Sequence, residues 1–152
     1  MTFRNSYLGD LYYLKKFYQL AAREYKLTTK LNPCYAEAYS NLGLIYFNEK
    51  HYDDAQEKFL KALELKPDFA EAYNNLALTY FNKGLYHEAL GEFNRALKLM
   101  PGNAEVHFNI ALVYLRGFKD KKKGVYYLRK SLKIDPNQSR SAMIREILSQ
   151  LN

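Results

Sequence analysis

Three asparagines recur at intervals of 34 residues, at positions 41, 75 and 109 of the chain. A carboxamide offers both a donor and an acceptor to a peptide backbone. An extended peptide rises roughly 3.3 Å per residue, so amides on helices roughly 10 Å apart would meet about every third residue of it. If the helices that carry Asn41, Asn75 and Asn109 stand side by side, this spacing would suit an extended peptide. The other interpretation is that asparagine is simply the usual residue at this position of a repeat.

No arrangement of residues in the sequence is typical of a catalytic site. The glycines are too scattered for a phosphate-binding loop, and the sequence contains no His-Glu-x-x-His, Cys-x-x-Cys or Gly-x-Ser-x-Gly motif. His51, His87 and His107 fall at different positions of the repeat, which disfavours a shared metal site. We therefore expect a protein that is not an enzyme, with no metal and no cofactor.

The asparagines belong to a longer pattern. Leu-Gly/Ala-x-x-Tyr, then Ala-x-x-x-Phe, then Ala-Leu and a closing Pro occupy residues 36–69 and return in residues 70–103. A fixed period of this length indicates a repeat array, and these columns resemble the tetratricopeptide repeat family. Extending the period predicts one domain, residues 1–152, made of four repeats and a last helix: residues 2–35, 36–69, 70–103, 104–138 and 139–151.

Each repeat reads as two amphipathic helices. In the first, Ala38, Leu42 and Ile45 follow helical spacing, and in the second, Ala55 and Phe59 do the same. A helix pair cannot bury its apolar faces alone, so neighbouring repeats must stack. We expect an all-α fold, and the resemblance implies a right-handed superhelical solenoid of four helix-turn-helix repeats.

Three details of this fold are also predicted. Gly84 suits a left-handed residue after the first helix, and a closely packed second helix leaves no room for Leu at Ala62. The fourth repeat is one residue longer, and we expect the insertion in the turn 116–123, because turns face solvent. Ser139 is a candidate N-cap for a helix through Leu151 that covers the last repeat or docks on a second copy.

The resemblance further implies that the first helices line a concave groove. On that basis, the candidate peptide-binding positions are those occupied by Asn41, Asn75, Asn109, Ser40, Asn74, Leu44, Leu78, Leu112, Phe47, Phe81, Asn48, Asn82 and Tyr13. Exposed leucine and phenylalanine side chains there would form an apolar binding patch, whereas the alternative is that they pack within the wall. Glu37, Glu71 and Glu105 begin the first helices, where they favour a basic ligand or simply stabilise the helix N-termini.

The net charge of +7 is compatible with a protein that binds nucleic acid. The charge is concentrated at the ends, with +4 over residues 1–35 and +5 over residues 104–138. The lysines of the last repeat could bind phosphates, but lysine-rich turns are usually just solvated. The single Cys34 and the lack of a long apolar run favour a cytoplasmic protein with no membrane contact.

Together these features predict a non-enzymatic scaffold that binds a peptide segment of a partner protein in the groove. Two other functions remain open at this stage. One is a homo-oligomeric scaffold, in which an end repeat or the last helix of one copy serves as ligand for the next. The other, which the sequence favours less, is a basic solenoid that binds nucleic acid.

Overall fold

The computed structural model describes residues 2–151, with side chains from residue 4 onward, and within this range it contains nine α-helices and no strand. About 80% of the chain is helical. The helices are α1 Thr2–Leu14, α2 Tyr18–Leu31, α3 Ala36–Asn48, α4 Tyr52–Leu65, α5 Ala70–Asn82, α6 Tyr86–Leu99, α7 Ala104–Leu112, α8 Lys121–Ile134 and α9 Ser141–Leu151. They stack pairwise as a right-handed superhelical solenoid, which confirms the predicted all-α class.

The hydrophobic core runs through the junctions between successive helix pairs. Phe59 and Ala62 of α4 pack in one cluster with Ala72 and Leu76 of α5. Equivalent clusters join α2 to α3 and α6 to α7. Each pair therefore buries its apolar surface against the next pair, as expected for a repeat protein.

Small residues mark the places where helices approach most closely. Ala55 and Ala62 are fully buried, and a Cβ atom added to Gly43 would lie 2.8 Å from the ring of Phe59. Gly9 bears the same relation to the ring of Tyr25, at 2.7 Å. These columns of small residues are needed because an aromatic ring from the second helix fills the space beside the first.

A left-handed residue follows the first helix of every repeat. Gly84 has φ 77°, as predicted, and Lys16 and Lys50 have φ 61° and 62° at the corresponding positions. The next such residue is Lys119, 35 rather than 34 residues after Gly84. The extra residue of the fourth repeat therefore lies before Lys119.

The prediction that this insertion lies in the exposed turn is wrong in its detail. The first helix of the fourth repeat ends in a π-helical turn, Val113–Gly117, in which the amide of Phe118 donates to the carbonyl of Val113. A π-helical turn accommodates one extra residue inside a helix without breaking its hydrogen bonds. The helix end absorbs the insertion, so the left-handed residue and α8 keep their places.

The last helix covers the fourth repeat of its own chain. Ile144 of α9 is fully buried in a cluster with Phe108, Ala111 and Leu128. The helix begins at Ser141, two residues after the predicted N-cap Ser139, which lies in the preceding turn. The capping helix is thus present, with a later start.

His107 takes the place of a tyrosine in the core. Its Nε2 lies 3.2 Å from the carbonyl oxygen of Pro101, as the hydroxyl of Tyr73 lies 3.2 Å from that of Pro67. Only 2% of His107 is exposed, and its Nδ1 has no hydrogen-bond partner among the described residues. Burial holds the pKa of His107 below its ordinary value, so the imidazole is neutral in the folded protein.

We expect Ala62→Leu to lower the free energy of unfolding by about 1–3 kcal/mol, because the larger side chain overpacks the α4 core. Urea denaturation at pH 7.5 measures this. The control is Asn94→Leu, which copies Leu60 of the previous repeat, a residue that is 45% exposed, and should change stability by less than about 0.5 kcal/mol. Equal stabilities of the two variants would contradict the close packing.

His107→Tyr should make the free energy of unfolding less dependent on pH between 7 and 5. Since the folded protein holds the pKa of His107 below the ordinary value of 6.5, this histidine stabilises the fold above that value. The contribution is lost as the pH falls through the folded pKa. Urea denaturation across this range gives the slope, and exposed His51→Gln is the control. An unchanged slope for His107→Tyr would rule out the neutral buried imidazole.

Candidate functional site

A groove of about 450 Å³ lies along the first helices of the second and third repeats and reaches the start of α7. We call it the first-helix groove. Residues of α3, α5 and the segment before α7 form its walls. Because the core holds these helices from behind, the side chains in the groove have a fixed arrangement.

The groove brings together six of the thirteen candidate positions: Ser40, Asn41, Leu44, Asn74, Asn75 and Leu78. Its remaining walls come from Phe69, Glu71, Met100, Asn103 and Glu105. Phe69, Met100 and Asn103 precede first helices in the chain and were absent from the sequence prediction. Phe69 and Asn103 could have been found from the sequence, because they are 34 residues apart and each directly precedes a first helix. Met100 had no such signal.

Asn75 is central to the groove. Its side chain is half-buried, and its carboxamide has no hydrogen-bond partner among the described residues. The hydroxyl of Thr79, one turn later, donates instead to the backbone carbonyl of Asn75. The amide of Asn75 therefore keeps its donors and its acceptor available to a bound molecule.

Asn41 has a different environment. Its Nδ2 donates to Oδ1 of Asp10 at 3.1 Å, and the same oxygen accepts a hydrogen bond from the hydroxyl of Tyr25 at 2.7 Å. Burial and the nearby Asp10 carboxylate raise the pKa of Tyr25, so its hydroxyl remains a donor. This network ties the first repeat to the second and uses one donor of Asn41.

Asn109 lies outside the walls of the groove. Only 4% of it is exposed, and its Nδ2 donates to Oδ1 of Asn74 at 3.2 Å. Asn109 therefore orients a neighbouring amide of the groove. Asn41, Asn75 and Asn109 therefore have three different environments, although they occupy the same position of successive repeats.

Several candidate side chains pack within the wall of their own repeat. Phe47 meets Tyr52 edge-on, and Phe81 meets Tyr86 in the same way, with centroids 5.6 Å apart in both pairs. The other positions are also occupied: Tyr13 packs on Tyr18, Asn48 donates to the hydroxyl of Tyr13, Asn82 donates to the backbone of Leu78, and Leu112 joins the α9 cluster. Among the predicted apolar positions, only Leu44 and Leu78 line the groove, and Phe69 and Met100 add further apolar surface.

The three glutamates also differ. Glu37 pairs with Lys66 at 2.9 Å, and the hydrogen bond from that lysine lowers the pKa of Glu37. Glu105 pairs with Arg140 at 2.9 Å. Glu71 is exposed at the edge of the groove and has no ion pair within the part of the chain that the structure describes. Its negative charge is the one available to a ligand.

Residues 2–151 contain neither a candidate metal site nor a candidate membrane span. No group of three or more histidine, cysteine, aspartate or glutamate side chains is placed to hold a metal ion in that range. No helix within it has the length and apolarity needed to cross a lipid bilayer. The first-helix groove remains the candidate site that the sequence analysis pointed to.

Models of known protein families match three stretches of the sequence. One, described as a TPR repeat, matches residues 45–84, and two described as tetratricopeptide repeats match residues 70–103 and 104–138. The repeats and their fold define a helical-repeat scaffold for protein–protein interaction. The chain belongs to the tetratricopeptide repeat family, whose fold is generally a non-catalytic interaction module. The division of the whole chain into four repeats and a helix within one domain stays a prediction.

Solved structures with a similar fold come from several proteins. The APC/C hetero-tetramer Cut9-Hcn1 is 26% identical with a TM-score of 0.89, covering 99% of this chain but only 30% of that one. A MamA structure is 26% identical with a TM-score of 0.80, covering 93% of this chain and 82% of that one. PilF from Pseudomonas aeruginosa is 24% identical with a TM-score of 0.87, covering 99% of this chain and 67% of that one. No curated protein is significantly similar in sequence.

We expect Asp10→Ala to lower the free energy of unfolding by about 1–2 kcal/mol, because the buried hydroxyl of Tyr25 loses its charged acceptor. The same substitution in a Tyr25→Phe background should cost at least about 0.5 kcal/mol less, since that background has no hydroxyl to leave unpaired. Urea denaturation of the four proteins gives this double-mutant cycle. Strictly additive effects would show that the Asp10 carboxylate does not hold Tyr25.

Proposed function

We propose that this chain is a non-enzymatic module that binds an extended segment of a partner protein in the first-helix groove. The observation that carries the proposal is the unpartnered carboxamide of Asn75, half-buried in the groove beside the amide of Asn74. A half-buried amide with free donors and a free acceptor matches the hydrogen-bonding groups of a peptide backbone.

The residues around Asn75 determine which side chains of a bound segment the groove would favour. Leu44 and Leu78 offer apolar contacts for side chains of the bound segment. Glu71 adds negative charge at the edge, because it has no ion pair among the described residues, whereas Glu105 is paired with Arg140. By charge complementarity, we infer that the segment carries Lys or Arg near its backbone contact with Asn75.

Relatives in the same fold support a partner of this class. The Cut9 structure, similar over almost the whole of this chain, is an assembly with a second protein, Hcn1. This chain spans about 30% of that protein, so the likeness supports protein binding in general. Peptide binding in the groove and the cytoplasmic location both stay predictions.

The groove is tested with a library of 12-residue peptides displayed on phage and selected on the wild-type chain. We expect the selected peptides to bind Asn75→Ala about fivefold to tenfold more weakly, the value of one or two lost hydrogen bonds. Glu71→Lys should weaken peptides that contain Lys or Arg by a similar factor. Fluorescence anisotropy with synthetic copies of the peptides measures both effects.

The matched control is Asn94→Ala, which removes an exposed amide from the second helix of the third repeat. It should leave the affinity unchanged, and circular dichroism should show equal helix content in all variants. If the selected peptides bind wild type and Asn75→Ala equally, the first-helix groove is not the binding site.

Self-assembly is a second candidate function, which the apolar surface at the N-terminal end favours. Tyr7, Leu14 and Phe17 are 73%, 78% and 54% exposed. Exposed apolar side chains gathered at one end favour contact with another surface. If this end joins copies of the chain, light scattering should show a mass that rises with concentration, and Leu14→Glu should abolish the rise. A mass of one chain at all concentrations would rule this out.

A further inference from the structure

A second, larger cavity of about 840 Å³ lies along one face of α8 and ends beside Leu151 of α9. The residues that line it on α8 are spaced along one helix face from Lys121 to Lys133. At 1.5 Å per residue this face is roughly 18 Å long, or about three helical turns. We call it the α8 groove, and it shares no lining residue with the first-helix groove.

The α8 groove combines an apolar floor with a positively charged rim. Val125, Tyr126 and Leu151 form the floor, and 57% of Tyr126 is exposed. Five cations surround them: Lys121, Lys122, Arg129, Lys130 and Lys133. No carboxylate lines the groove, and none of these five cations has an ion pair within the described residues. The surface is therefore complementary to an occupant that is both apolar and acidic.

The repeats themselves show what contacts the positions equivalent to Lys122, whereas Leu60 and Asn94, the equivalents of Arg129, are exposed. Gln19 donates to Glu49, Asp53 pairs with Lys83, and the ring of His87 lies 4.8 Å from that of Phe118. In each case the start of a second helix is contacted by the end of the following repeat's first helix. Gln19, Asp53 and His87 are equivalent positions of successive second helices. The equivalent residue of α8 is Lys122, which lies 35 residues after His87 because the fourth repeat is one residue longer.

At Lys122 the following helix is α9, whose last residue, Leu151, lines the groove. The last helix, α9, packs on the neighbouring part of α8 through Ile144 and Leu128, but the α8 groove remains open beside Leu151. The partner of Asp53 in the series is the cation Lys83, so the charge at this place is matched across the junction. A helix seated against Lys122 would need a carboxylate to match it.

We propose that the α8 groove binds an acidic amphipathic helix of a partner protein. Its apolar face would pack on Val125, Tyr126 and Leu151, and its carboxylates would pair with the rim cations. A second copy of this chain fits less well, because its exposed N-terminal end is also positively charged, with +4 over residues 1–35. A nucleic-acid strand or a lipid surface would use the cations but has no need of a helix-sized apolar groove.

The test uses a fluorescein-labelled synthetic peptide of about 14 residues, the length of α8, built from leucine and glutamate with the leucines on one helical face. Fluorescence anisotropy at 0.15 M NaCl should show saturable binding to the wild-type chain. Arg129→Glu together with Lys133→Glu should weaken it about tenfold or more, because two attractive pairs become repulsive. Tyr126→Ser should weaken it about fivefold through the loss of apolar contact.

Matched controls come from the first repeat and from the peptide. Lys26→Glu with Lys30→Glu makes the same charge change at the equivalent positions of α2, and should leave the affinity within about twofold of wild type. A peptide of the same composition with its leucines scattered around the helix should bind at least about tenfold more weakly. Circular dichroism confirms that each variant is folded.

Four outcomes would overturn the proposal. The first is no saturable binding of the amphipathic peptide to the wild-type chain. The second is equal binding by the Arg129→Glu/Lys133→Glu variant, and the third is equal binding of the peptide with scattered leucines. The fourth is tighter binding of a single-stranded oligonucleotide, or of vesicles of phosphatidylcholine and phosphatidylserine, with the same dependence on Arg129 and Lys133. None of these depends on whether the first-helix groove binds its own peptide.

Discussion

The structure depends on one large buried side chain in the second helix of each repeat, which is an aromatic ring in the first three repeats and Leu128 in the fourth. Phe59 lies against Gly43 of its own first helix and against Ala72 and Leu76 of the next repeat. Tyr25 and Phe93 occupy the equivalent places. Each ring is covered partly by its own first helix and partly by the following repeat, so the stability of one repeat is coupled to that of its neighbour.

This coupling also fixes the amides of the first-helix groove. Hydrogen bonds join successive first helices, from Asn41 to Asp10 and from Asn109 to Asn74. These contacts use part of the hydrogen-bonding capacity of two asparagines and hold their helices in register. Asn75 has no such partner within the described residues, so one of three repeated amides is left for a ligand. A repeated sequence thus places three identical amides in three different environments.

The period of the sequence was sufficient to predict the helices, their pairing and the small residues at their contacts. The groove was predictable only in part. The sequence places Asn41, Asn75 and Asn109 in one column, but their partners Asp10 and Asn74 stand in other columns, so the period contains no sign of the hydrogen bonds. The extra residue of the fourth repeat was visible as a longer interval, whereas nothing in the repeat pattern indicates the π-helical turn, whose Gly117 lies against the ring of Tyr86.

The central claim is that a partner segment contacts the amide of Asn75. Two-dimensional ¹⁵N–¹H NMR detects the side-chain NH₂ groups of asparagines directly, and Asn75→Ala assigns the one in question. On addition of a groove-selected peptide, we expect the Asn75 NH₂ signals to shift and their exchange with water to slow, while those of exposed Asn94 stay in place. Unchanged Asn75 signals at saturating peptide would contradict the account.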